Sequence, residues 1–145
     1  MSKDTTKRVT MSTASFAAEL ENLAVIRRFA EETAQSLQAN QAAIDDMLQA
    51  VDEAVTNIIV HGYAGRPGTI EAQVKRAGDS LIVRLRDQAP RFDPTTVRPP
   101  DLTLPLEKRR PGGLGVHLIR HFVDQVHYHT APQGGNELTL VKKAF

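Results

Sequence analysis

The sequence predicts an α+β fold, a two-layer sandwich with helices on one face of a mixed or antiparallel sheet. An apolar stripe at helical spacing runs through residues 44–59, two hairpin patterns flank a proline-rich stretch, and a glycine cluster opens a short last helix. The 145 residues suit one core-forming domain over 1–145, and with 41% hydrophobic and 24% charged residues the composition is globular rather than disordered.

Taken in order, Arg8–Ala14 carries β-branched residues and predicts a first strand. From Ser15 to Gln38, Phe16, Leu20, Leu23, Ile26, Ala30, Thr33 and Leu37 fall close to helical spacing with no Gly or Pro among them, predicting a first helix. Asn40 reads as the N-cap of a second helix that runs to about His61 and stops at Gly62. Along it Ile44, Met47, Leu48, Val51, Val55, Ile58 and Ile59 recur at steps of three and four, so that face lies on a core. Thr69–Arg76 and Leu81–Arg86 alternate in strand fashion around the turn Ala77-Gly78-Asp79-Ser80. Residues 87–112 then hold Pro90, Pro94, Pro99, Pro100, Pro105 and Pro111; so long an irregular stretch is a binding loop or lid, or else a disordered insertion. Val116–Val123 predicts a helix, and Val126–Thr130 with Glu137–Lys143 a closing hairpin around Gln133-Gly134-Gly135-Asn136.

Lys plus Arg total 18 against 17 Asp plus Glu, a formal charge of +1, so there is no basic footprint for nucleic acid. The absence of cysteine removes disulfides, thiolate metal sites and cysteine nucleophiles. No apolar run is long enough to span a membrane, and Met1–Arg8 lacks an apolar signal core, so a cytoplasmic address is expected.

Three places carry potential chemistry. Glu53 and Asn57, four apart in Asp52-Glu53-Ala54-Val55-Thr56-Asn57, stack on one helix face nearly opposite the apolar stripe. That face is either a solvated polar surface or a site where an amide oxygen binds a hard cation and a carboxylate accepts a proton. Asp87 ends a strand and opens the long loop, where it caps a turn or accepts a hydrogen bond from an exocyclic amine. Arg109-Arg110-Pro111-Gly112-Gly113-Leu114-Gly115 leads straight into a helix; glycine backbone and helix dipole favour phosphate, although a tight loop-to-helix turn explains the glycines equally. It is neither a Walker A loop nor a dinucleotide-binding turn. His117 and His121 share a helix face and His127 and His129 a strand face, but no carboxylate completes either as a metal site. His61, one helical turn beyond Asn57, is expected beside the same pocket.

In this order the features resemble the GHKL ATPases, and most closely the bacterial anti-sigma serine/threonine kinases, over roughly Arg8 to Phe145. The resemblance implies the Bergerat ATP-binding fold with a long ATP lid over about 88–113. It implies that Asn57 holds Mg²⁺, that Glu53 is the base activating the accepting hydroxyl, and that Asp87 reads adenine. Ala89, Arg109, Arg110, Gly112, Gly113, Leu114 and Gly115 would border the nucleotide, with Thr139 on the last strand backing the adenine pocket. The implied activity is ATP-dependent phosphorylation of a small anti-sigma-factor antagonist, with a sigma factor as the other partner and a homodimer allowed. Ala89 and Arg91 stand where the family's Asp-x-Gly-x-Gly motif has glycines. A module that binds regulators with ATP serving structure alone, or the fold with no nucleotide, are the rival readings.

Overall fold

Alternation builds the sheet. Ile70, Ala72 and Val74 on one strand and Leu81, Val83 and Leu85 on the next are buried, with half-buried or exposed residues between them. The computed structural model describes residues 10–90, 113–130 and 134–145, with 113–117 described by backbone alone. The order is β1 (Met11–Ala17), a 3-10 turn (Leu20–Asn22), α1 (Leu23–Ser36), α2 (Gln41–Asn57), a π turn (Ile58–Tyr63), β2 (Thr69–Ala77), β3 (Ser80–Asp87), α3 (Gly113–Phe122), β4 (Gln125–Thr130) and β5 (Asn136–Lys143). The five strands lie in the order β1-β2-β3-β5-β4, and every neighbouring pair is antiparallel. The expected mixed or antiparallel sheet is therefore wholly antiparallel among the described strands.

The apolar stripe behaves as its spacing requires. Ile44, Met47, Leu48, Val51, Val55 and Ile59 are buried with Ile26 and Ala30 of α1, Ile119 of α3 and the inward residues of the sheet. Burying such aliphatic side chains contributes roughly 1.5–3 kcal/mol each before chain entropy is set against it. The other sheet face is polar. There Arg86 donates to Glu137 at 2.5 Å and lies 3.5 Å from Glu71, while Arg84 lies 3.6 Å from Glu137. One apolar and one charged face fix the sandwich at two layers.

The first two predicted elements need correction. The first strand is Met11–Ala17, so the segment from Ser15 to Ala17 read as helix is strand, and Leu20–Asn22 is a 3-10 turn. Phe16 and Leu20 fit helical spacing, but Ser12, Ala14 and Phe16 also fit a period of two, and pairing along β2 satisfies their backbone. Phe16 still reaches α1, its ring 5.8 Å from that of Phe29 in an edge-on contact. The second helix extends past Gly62 as a π turn and ends at Ala64, whose left-handed φ of 52° stops it.

Asn40 caps α2 as read from sequence: its backbone is extended and its side-chain oxygen accepts from the Ala43 N–H at 2.8 Å. Asn40→Ala removes that acceptor and should destabilise the domain by about 1 kcal/mol. A lower urea midpoint at unchanged slope is the expected result.

Candidate functional site

A π turn after Asn57 shapes one wall of a cleft. Wider winding brings the residue five positions on over its predecessor, so Gly62 rather than His61 joins Asn57 in the wall, and His61 is exposed. Asn57 is only 8% exposed, and its Nδ2 has no hydrogen-bond partner among the described residues. The solvated-face reading of this flank is thus overturned at Asn57. Helix α3 packs along α2 there, a second partner that the stripe on α2 does not reveal. Glu53, one turn earlier, is half-buried and stands outside the set lining the described cleft.

The opposite wall grows from the end of β3. Asp87 is 5% exposed, and its Oδ1 accepts the Ala89 N–H and the Asn136 side-chain amide, both at 2.9 Å. Burial pushes the Asp87 carboxyl above the usual carboxylate range, and the hydrogen bonds from Asn136 and Ala89 pull partly the other way. Asn136 Nδ2 also faces the carbonyls of Ala89 and Pro90 at 3.2 Å, and its Oδ1 accepts from the Tyr128 hydroxyl at 2.5 Å. Gly135 makes this arrangement possible: its φ is +83°, and a Cβ there would lie 2.1 Å from the Asp87 carbonyl oxygen. Tyr63 braces the far side, its hydroxyl accepting from the Gln88 N–H at 2.8 Å and donating to the Thr69 carbonyl at 2.6 Å.

Asn57, Gly62, Asp87 and Asn136 thus share one cleft, whose apolar walls come from Ala54, Ile58, Ile119 and Leu138. The empty space within it, open solvent included, is about 400 Å³. An apolar slot ending in a carboxylate suits a flat heteroaromatic ring that carries a donor on its edge.

The sequence-derived site residues divide accordingly. Asn57 and Asp87 come together, and Ala89 lies beside them, 4% exposed and without positive φ, so its side chain is accommodated unstrained. Gly113, Leu114 and Gly115 form the first turn of α3. Arg109, Arg110, Gly112 and most of the expected lid lie outside the described residues. Thr139 is misplaced in the sequence reading: it pairs with Arg84 and His127, on the sheet face away from the helices. Its neighbours Asn136 and Leu138 back the cleft instead, because strand parity alternates and Thr139 has the wrong one. Among the described residues no group of three or more His, Cys, Asp or Glu is placed to hold a metal. Sequence reasoning missed Asn136 and Tyr128. An Asn after two glycines reads as turn; its sharing a face with Leu138 and Leu140 was the available signal.

Residues 16–142 match the family described as the histidine kinase-like ATPase domain. The chain belongs to this family. It is 33% identical over 90 residues to the serine/threonine-protein kinase BtrW of Bordetella bronchiseptica, covering 61% of this chain and 63% of that protein. It is 27% identical over 129 residues to an anti-sigma F factor of Thermoanaerobacter, covering 88% and 90%. In fold it resembles the crystal structure of the RsbU and RsbW domains of a Mycobacterium tuberculosis protein, with a TM-score of 0.64 at 18% identity, covering 94% of this chain and 33% of that one. The chain therefore spans less than two thirds of BtrW and a third of the mycobacterial chain. A histidine kinase-like ATPase domain uses ATP. No described helix of this one is long and apolar enough to cross a membrane.

Asp87→Asn keeps an oxygen for the Ala89 and Asn136 hydrogen bonds and removes a buried charge. A carboxyl whose folded pKa is raised loses stability as pH rises from its ordinary value through the raised one, and an amide at this position does not titrate and escapes that loss. The ligand-free variant should therefore melt no lower than wild type. If the Asp87 carboxylate is the acceptor for a nucleotide's edge donor, ATP affinity should nevertheless fall at least about tenfold, because the new amide N–H₂ would meet that donor. Thermal melts with calorimetric titration check both halves.

Proposed function

We propose that this domain is an ATP-dependent serine/threonine protein kinase acting as an anti-sigma factor in the cytoplasm. Its substrate would be a small anti-sigma-factor antagonist, and a sigma factor would be its other partner. The observation that carries the reading is the pairing, across one cleft, of the buried Asp87 carboxylate with Asn57, whose Nδ2 has no partner among the described residues. An acceptor at the apolar end fits the exocyclic amine of adenine. The Asn57 amide, on the helix side, fits the phosphate end, where its oxygen is a hard ligand of the kind Mg²⁺ takes beside phosphate oxygens. Mg²⁺, when bound, would offset phosphate charge. The names of the relatives, a serine/threonine-protein kinase and an anti-sigma F factor, agree with this activity.

In the proposed step a partner's Ser or Thr hydroxyl oxygen bonds to the γ-phosphorus. The bridging β–γ P–O bond breaks, ADP departs, and the hydroxyl proton passes to the Glu53 carboxylate. The backbone N–H groups at the start of α3 (Gly113, Leu114, Gly115) and Arg109 and Arg110 upstream are assigned to the phosphates.

One observation favours a second reading. Glu53 stands outside the described cleft lining, as a module that binds ATP without chemistry would allow. Labelled γ-phosphate transfer to a purified antagonist separates the two. Glu53→Ala should slow transfer at least about 100-fold while leaving ATP affinity unchanged. Transfer at the wild-type rate would remove Glu53 from the chemistry, and ATP binding by wild type with no transfer to any partner would leave the binding module.

A further inference from the structure

We propose that Asn136, oriented by Tyr128, sets base selectivity: it reduces Asp87 to a one-oxygen acceptor that fits adenine and rejects guanine. This rests on the reading of the cleft as a nucleotide site. A carboxylate offers about two acceptor positions on each oxygen. Both positions on Asp87 Oδ1 are filled, by the Ala89 N–H and the Asn136 amide, whereas no described residue donates to Oδ2. The cleft therefore meets one available carboxylate oxygen.

The Asn136 amide has one tenable orientation. Three acceptors surround its nitrogen: Asp87 Oδ1, the Ala89 carbonyl and the Pro90 carbonyl. A flip would set oxygen against all three and would turn the amide nitrogen toward the Tyr128 hydroxyl that now donates to its oxygen. Tyr128 itself lines the cleft, and the Gly135 backbone against the Asp87 carbonyl holds Asn136 in reach.

Adenine presents one exocyclic amine beside a ring acceptor, so a single carboxylate oxygen satisfies its donor. Guanine presents a ring N–H and an adjacent exocyclic amine, a two-pronged donor that suits a carboxylate with both oxygens open. With Oδ1 filled, guanine gains one contact and leaves a donor unpaired in an apolar slot, and it is on such unpaired polar groups that strong discrimination rests. Asn136 and Tyr128 are thus positioning residues, acting on the base through Asp87.

The test is calorimetric affinity for magnesium-ADP and magnesium-GDP in wild type, Asn136→Ala and Tyr128→Phe, with circular dichroism and melting to establish folding. Wild type should prefer ADP by at least about 30-fold; Asn136→Ala should shrink that preference by about tenfold and Tyr128→Phe by about threefold, with GDP affinity rising in both. Equal loss of both nucleotides at an unchanged ratio would mark a merely structural role and overturn the proposal, as would a wild-type ratio near one. Should Asn136→Ala fail to fold, the ratio in Tyr128→Phe decides, since that variant loses one hydroxyl. Wild type binding neither nucleotide would sink the nucleotide reading itself, an outcome distinct from binding without selectivity.

Discussion

The backbone of Gly135 rests directly on the carbonyl of Asp87, and the site follows from that contact. A side chain at Gly135 would sit 2.1 Å from that oxygen, so the β4–β5 turn approaches the end of β3 this closely only with hydrogen in place of Cβ. The approach brings Asn136 within 2.9 Å of a carboxylate 49 residues earlier in the chain. Asp87 itself is buried. Sheet order matters equally: β5 lies between β3 and β4, so Asp87, Asn136 and Tyr128 come from three adjacent strands.

Two polar groups in the cleft are left incompletely used, and in different ways. Asp87 is buried as a charge, with its desolvation offset on one oxygen by two donors. Asn57 is buried with its amide nitrogen unmatched among the described residues, a situation that costs about 1–3 kcal/mol where no partner is gained. Neither contributes to the apolar core. Their common feature is a face toward the same cavity, so a ligand bringing a donor to Asp87 and a phosphate oxygen to the Asn57 N–H₂ would remove both penalties at once. Stability given up at the site reappears as differential affinity for that ligand.

What could be read from sequence was what local periodicity decides. The α2 stripe, the Asn40 cap, both hairpins and the strand-end position of Asp87 depend on neighbours a few residues apart, and they stand as read. Three of the failures involve a partner distant in sequence, and two turn on local geometry. Ser15–Ala17 was read as helix because pairing with β2 is invisible from spacing alone. Asn57 shares its cleft with Ile119 of α3, more than fifty residues downstream. Thr139 was assigned to the cleft on family likeness, and a shift of one residue in a strand reverses the face. His61 was placed by α-helical geometry in a segment wound as a π turn. Asn136 escaped because its role is created by the Gly135 contact, a tertiary event with a local sequence that reads as turn.

The replacement of a motif glycine by Ala89 can be understood through the π turn. Ala89 packs against Gly62, where a Cβ would lie 3.2 Å from the Ala89 Cβ. That spacing leaves room for one methyl group, and the sequence supplies it from position 89. Because Ala89 has no positive φ, the methyl carries no backbone strain, and its N–H remains on Asp87 Oδ1. Gly62, on α2's extension, thus keeps the space beside Ala89 clear of a second, tightly placed methyl. The winding that moves His61 out to solvent and Gly62 in thus places a residue without a side chain against the alanine beside Asp87.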